Sequence, residues 1–134
     1  MVLLSGLQAA TNTVTTASDQ LDSPAGAELS LREAIRDSTS GDTIHFDGVL
    51  DGFFMVLTKF DFVIDGKDLE IDASALASGL KISFSAAFPS HHFSITNGST
   101  VIINNLTLID GTSSGQGGAL HVSAGSDMTV LNCS

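Results

Sequence analysis

The sequence predicts an all-β fold, a parallel β-helix (solenoid) with a short N-terminal capping α-helix, and three observations carry that expectation. In 134 residues only 15% are charged, 43% are hydrophobic, and the polar share is carried by Ser, Thr, Asn and Gly, which suit strand faces and turns. Short strand-like pieces recur at offsets of 27 to 32 residues. One stretch near the front, and no other of its length, is patterned as a helix. The length fits one domain with a core of its own. Residues 1–134 therefore read as a single domain, with an N-terminal strand and capping helix in 1–41 and about three to four coils in 42–134.

Residues 11–17, "TNTVTTA", are β-branched and predict a first strand, and "SDQLDSPAGAE" is a turn-rich link. A helix follows over about 31–38. Ser30 stands three residues before Glu33, the spacing at which hydroxyl and carboxylate cap each other's backbone N–H groups. Leu31, Ala34 and Ile35 share one face, which leaves Arg32, Glu33, Arg36 and Asp37 for an outer, charged face. Gly41 is placed to end the helix, since glycine enters the left-handed conformation at low cost.

After Gly41 only strand-like pieces occur: "DTIHF", "FFMVL", "DFVID", "LEID", "LKISFS", "HFSIT", "TVIIN", "LTLID", "GALHV" and "MTVLN". Gly, Asn, Asp or Ser bounds each one. "ITNGSTVIINNLT" from Ile95 and "VSAGSDMTVLNCS" from Val122 align without gaps, pairing Ile95 with Val122, Gly98 with Gly125, Val101 with Met128 and Ile103 with Val130. "VIDGKDLEIDA" from Val63 joins the frame at an offset of 32, with a longer loop at "AAFPSHH". Such a period describes coils that bury their apolar faces only against neighbours. Val101, Ile103, Leu106 and Leu108 are the expected inward set, and Cys133, aligned with Leu106, packs as a small hydrophobe. Asn105 and Asn132 are expected to lie one above the other with amides bonded along the stack. An uncovered end would expose apolar side chains and unpaired strand groups. The helix is therefore a cap, built from Ser30, Leu31, Glu33, Ala34, Ile35 and Gly41.

These residues resemble the N-terminal cap of bacterial surface and secreted right-handed parallel β-helix proteins that carry a Cys-Ser-Leu-Arg-Glu-Ala motif. Here the motif reads "LSLREAI", followed by "GDTIHF". "LEIDAS", "VIINNLTLIDG" and "MTVLNCS" look like that family's coils, and "GQGGALHV" is similar to the Gly-Gly-Ala-Ile repeats of polymorphic outer-membrane proteins, which are adhesin-like β-helices. The likeness covers about residues 13–134 and is most specific over 30–46. Leu29 occupies the cysteine position of the motif, and Cys133 is the one cysteine in the chain, so no disulfide can pin this cap. The resemblance implies an extracellular or cell-surface location and a structural or adhesive role. No signal peptide is recognisable in "MVLLSGLQAA", which lacks a basic n-region.

A net charge of −10, from fifteen acids against five bases, repels phosphate backbones and argues against nucleic acid. No polybasic patch and no apolar run of about 18 residues offers a membrane anchor, so no direct membrane insertion is expected. Among the nine acids between Asp37 and Asp72, Asp61, Asp65 and Asp68 are the candidates for a paired-carboxylate glycosidic site, against a default of turn and surface aspartates. No cofactor is expected; structural calcium is the one cation such oxygen ligands suit, although no spaced Asp loop is present. His91 and His92, adjacent in the loop, read as surface histidines. The sequons at Asn97, Asn105 and Asn132 are read as products of composition.

The expected function is a non-enzymatic structural or adhesive module that self-associates or continues through its uncapped last coil. Its partners would be copies of itself, further coils of a longer chain, or surface glycans. The alternative is a carbohydrate-active or carbohydrate-binding β-helix, which the absence of Trp and Tyr disfavours, with the eight Phe placed mostly in the core.

Overall fold

A computed structural model describes residues 9–84, 92–109 and 119–134. It contains eleven strands and one α-helix: β1 (Thr11–Val14), α1 (Leu31–Asp37), β2 (Asp42–Phe46), β3 (Phe54–Leu57), β4 (Phe62–Asp65), β5 (Leu69–Asp72), β6 (Leu80–Phe84), β7 (Phe93–Thr96), β8 (Thr100–Asn104), β9 (Leu106–Ile109), β10 (Leu120–Val122) and β11 (Asp127–Leu131). All ten strand-like pieces after Gly41 become strands, and a single 3-10 turn at Gly48–Leu50 separates β2 from β3.

The strands form three parallel sheets. Sheet A has the order β1-β2-β5-β8-β11, sheet B β3-β6-β9 and sheet C β4-β7-β10. From β2 onward the chain visits A, B and C in rotation, so that each strand pairs with the one three strands earlier. Ile95 pairs with Val122, Val101 with Met128 and Ile103 with Val130, and Leu69 and Ile71 with Val101 and Ile103. The repeat therefore maps onto the sheet register. The aligned glycines Gly66, Gly98 and Gly125 all have positive φ, at 67°, 74° and 84°, the corner conformation that a side chain would strain.

Alternation sorts the side chains. In sheet A, Ile44, Ile71 and Ile103 form one inward column, each at 0% exposure. In sheet C, Phe62 and Phe93 stack with ring centroids 5.3 Å apart. With Met55, Leu57, Leu80, Ile82 and Leu106 they close one apolar core, against which Leu108 and Cys133 pack partly buried.

Several expectations need correction. β1 is shorter than foreseen and pairs in parallel with β2, so it forms the first edge of sheet A. The helix packs against β1 and β4. It ends at Asp37, one residue early, and Ser38, not Gly41, terminates it: the Ser38 N–H and hydroxyl both donate to Ala34 O, at 2.9 and 2.6 Å. Gly41 instead leads into β2 with φ 94° and donates its N–H to Asp68 O. Phe53, Phe54 and Phe60 are each more than half exposed, because Phe54 lies on the outward pleat of β3 with Val56 and Phe53 and Phe60 lie in the turns before β3 and β4; Phe46, Phe62 and Phe93 are buried.

Candidate functional site

A dense set of polar contacts surrounds the start of α1. Ser30 is the N-cap; its hydroxyl accepts from Glu33 N at 3.1 Å and donates to Gln20 O at 2.8 Å. The Glu33 carboxylate accepts from Ser30 N at 2.9 Å and from Asp22 N at 2.7 Å, so the capping box also stitches the preceding loop to the helix. Leu31 and Ala34 are at 0% exposure and Ile35 at 4%, as the apolar pattern requires.

The charged face departs from the amphipathic pattern, since Arg32 and Glu33 are buried and not outward. The Arg32 guanidinium grips Asp19 through Nε at 2.6 Å and Nη2 at 3.1 Å, and donates to Phe60 O and Asp61 O. It lies 4.7 and 4.8 Å from the ring centroids of Phe60 and Phe62, within cation–π range of both. Asp19 also accepts from Thr58 N and Lys59 N. Burial raises the Asp19 carboxyl, but the Arg32 bond and charge and these two N–H groups outweigh it and hold it below the usual range. Burial likewise opposes, without overcoming, the donors that lower Glu33. Asp42, buried at the foot of β2, is lowered by the N–H groups of Ala10 and Thr39.

Lys67, in the turn after β4, donates to Ile35 O at 2.7 Å and Ser38 O at 2.9 Å. It thus satisfies carbonyls at the helix C-terminus, where a cation is favoured. Burial lowers its pKa, against Asp37 and Asp42, which raise it. Sequence reasoning missed Asp19 and Lys67. Neither is near the helix in sequence, and only the folded path of the chain brings them to it.

The three candidate carboxylates are spread along the side of sheet C and its corner. Asp61 directly precedes β4 and Asp65 ends it, with α-carbons about 13 Å apart at about 3.3 Å per residue. Each accepts from the next parallel strand or its flanking residues: Asp61 from the Ser94 hydroxyl, Asp65 from Thr96 Oγ1 and Asn97 Nδ2, and Asp68 from Thr100 N. These side chains act as vertical ties. Asn105 and Asn132 occupy equivalent corners with φ 63° and 51°. Their amides do not bond each other: Asn105 Nδ2 donates to Ala73 O and Leu76 O, and Asn132 Nδ2 to Asn104 Oδ1.

His92 is fully buried, not at the surface. Its Nε2 lies 3.0 Å from Ile82 O and 2.9 Å from Ile109 O, and since carbonyls only accept, that nitrogen carries the proton. His91 and most of the "AAFPSHH" loop lie outside the described residues. Among the described residues no cluster of three or more His, Cys, Asp or Glu could hold a metal ion, and no helix is long and apolar enough to cross a membrane.

At the far end of the sheets the core columns reach the surface. Ile95 and Ile103 are at 0% exposure, while Val122 and Val130, their partners one strand on, are at 40% and 46%. A cleft of about 390 Å³ beside the cap is lined by Leu21, Ile35, Phe60, Val63, Arg36 and Lys67. The chain matches no protein-family model, no curated protein and no solved structure.

Proposed function

We propose that the chain is a non-enzymatic structural module, a right-handed parallel β-helix closed at one end by its helix, which presents a rigid side for adhesion or assembly in a secreted or cell-surface protein. The observation that carries this reading is the way α1 covers one end of the core, with Leu31, Ala34 and Ile35 buried beside the Arg32–Asp19 pair.

The winding is supported by the rotation of the chain through three parallel sheets, and its hand by the right-handedness of parallel crossover connections. The "LSLREAI" resemblance supports the surface or secreted setting. A structural role is favoured over catalysis because Asp61, Asp65 and Asp68 each tie one tier to the next.

A carbohydrate-binding reading draws on Phe53, Phe54 and Phe60, whose exposures of 51%, 55% and 59% offer apolar platforms of the kind sugars stack on. One experiment separates the readings: incubation with a polysaccharide panel, assayed for reducing or unsaturated sugar, beside light scattering and electron microscopy of the same preparation. The structural reading expects associated particles and no sugar release. Release abolished by Asp65→Asn would replace it with a polysaccharide-degrading activity.

A further inference from the structure

Sheet B keeps one strand position open, and we infer that this position takes an extended peptide of a partner protein, apolar along its middle and carrying carboxylates, laid beside β3 at the level of Phe54 and Val56. The inference rests on the structural-module reading and names the partner that its adhesion or assembly would engage.

The three sheets differ at the edge formed by their earliest strands. β1 lies beside β2 in sheet A, and α1 packs against β4, the edge of sheet C, with Arg32 donating to Phe60 O and Asp61 O just before that strand. β3 pairs with β6, and among the described residues no strand pairs with its other edge. Phe53 O accepts from Lys81 N, so by alternation Phe53, Met55 and Leu57 turn their main-chain groups to β6, while Phe54, Val56 and Thr58 turn theirs away. The Asp19 carboxylate takes the Thr58 N–H. The N–H and C=O groups of Phe54 and Val56 have no partner among the described residues.

The chain itself shapes the opening. Residues 16–19 run past this edge without pairing with it: Thr15 N and Thr16 N donate to Leu29 O, and Asp19 is held by Arg32, Thr58 N and Lys59 N. Between them and Phe53, Phe54, Val56 and Thr58 lies a cavity of about 560 Å³, bounded by two internal segments of the chain. The edge carries none of the usual guards, since "FFMVL" holds no charge and no proline. Main-chain donors and acceptors along a strand edge are matched by another extended main chain, and the exposed side chains of Phe54 and Val56 match apolar neighbours. A folded second copy meets an obstacle that a lone strand does not, because its own β3 stands behind its own residues 16–19.

Charge sets the rest of the partner's chemistry. The chain has a net charge of −10, yet two of its five bases stand at this opening and the nearby carboxylates are spent. Lys81 Nζ lies 5.0 Å from the Phe54 ring centroid, and Lys59 follows Thr58 with its Nζ on Asp19 O. Asp19 is paired with Arg32, and Asp51, in the turn before β3, accepts from Ser78 N. The ammonium groups of Lys59 and Lys81 are left to attract carboxylates on an incoming strand, at the rim of the contact, where charge guides encounter and sets specificity.

The test is amide hydrogen exchange, followed residue by residue by NMR, with acetyl-Glu-Val-Thr-Val-Glu-amide as the probe and acetyl-Lys-Val-Thr-Val-Lys-amide as its charge-reversed control. In the protein alone the Phe54 and Val56 amides are expected to exchange fast and the Met55 and Leu57 amides slowly. The Glu peptide should slow the first pair, and the Lys peptide should not. Val56→Pro, which removes an N–H that β6 does not use, should weaken binding of the Glu peptide about two- to tenfold with the circular dichroism unchanged. Lys81→Glu should reverse the preference between the peptides. Slow exchange of Phe54 and Val56 without peptide at every concentration, protection that rises with protein concentration alone, equal binding of both peptides, or no protection by the Glu peptide would each overturn the inference. None of these outcomes touches the module reading, which falls to sugar release.

Discussion

Arg32 and Asp19 form a two-pronged ion pair with side-chain exposures of 5% and 1%, and around it the cap, the loop before it and the β3–β4 connection all meet. Removing one partner leaves a buried charge without its counterpart, typically a loss of about 3–5 kcal/mol. Arg32→Met and Asp19→Asn are each expected to destabilise on that scale in urea unfolding, and the double variant by less than their sum. Arg32→Lys should not restore stability, because an ammonium cannot reproduce the fork or the stacking on Phe60 and Phe62.

The packing of α1 and the segments tied to it should be acid-labile. Asp19, Glu33 and Asp42 all have carboxyls held below their ordinary values, so the unfolded chain takes up protons before the folded one does. Their contribution is complete above the unfolded carboxylate range, about pH 4, and is lost as pH falls through the lowered folded values. The urea midpoint is expected to be level from pH 7 to about pH 5 and then to fall. Glu33→Gln should start lower and fall less steeply.

The inward and outward pleats of β8 make a paired test of packing. Ile103 sits at 0% exposure between Ile71 and Val130, and Ile103→Ala should cost about 2–5 kcal/mol. Its neighbour Ile102 faces outward and is only partly buried, so Ile102→Ala should cost under about 1 kcal/mol. Equal losses would mean that the pleat is not oriented as described.

Asn105 serves two purposes that substitution can separate. Asn105→Gly keeps the positive φ of 63° but removes the bonds to Ala73 O and Leu76 O, at about 1–3 kcal/mol. Asn105→Ala loses the same bonds and adds about 1–2 kcal/mol of left-handed strain. Differential scanning calorimetry should rank wild type above Gly and Gly above Ala.

Much of the fold was legible because its signals are local or periodic. The Ser30/Glu33 spacing announces the helix start, and the Ile95–Val122 and Leu69–Val101 alignments become pairing registers. What escaped reading depends on three-dimensional routing. Arg32 belongs to the polar face by helical geometry, yet the chain before the helix brings Asp19 beneath it and the carbonyls of Phe60 and Asp61 beside it. His92 was misplaced because nothing in "SHHF" reveals which ring will find two carbonyls inside. Hydrophobicity alone places most Phe in the core, but "FFMVL" is apolar on both faces, and the pleat turns Met55 and Leu57 inward and Phe54 outward.

The position of Asp19 also imposes an order in time. Its carboxylate reaches Arg32 thirteen residues on, but also Thr58 and Lys59, some forty residues downstream. A nascent chain leaving the ribosome would expose the helix-forming segment well before those later acceptors and donors exist. The helix is therefore synthesised before the strand β4 it rests on and can be fastened only after that strand has arrived.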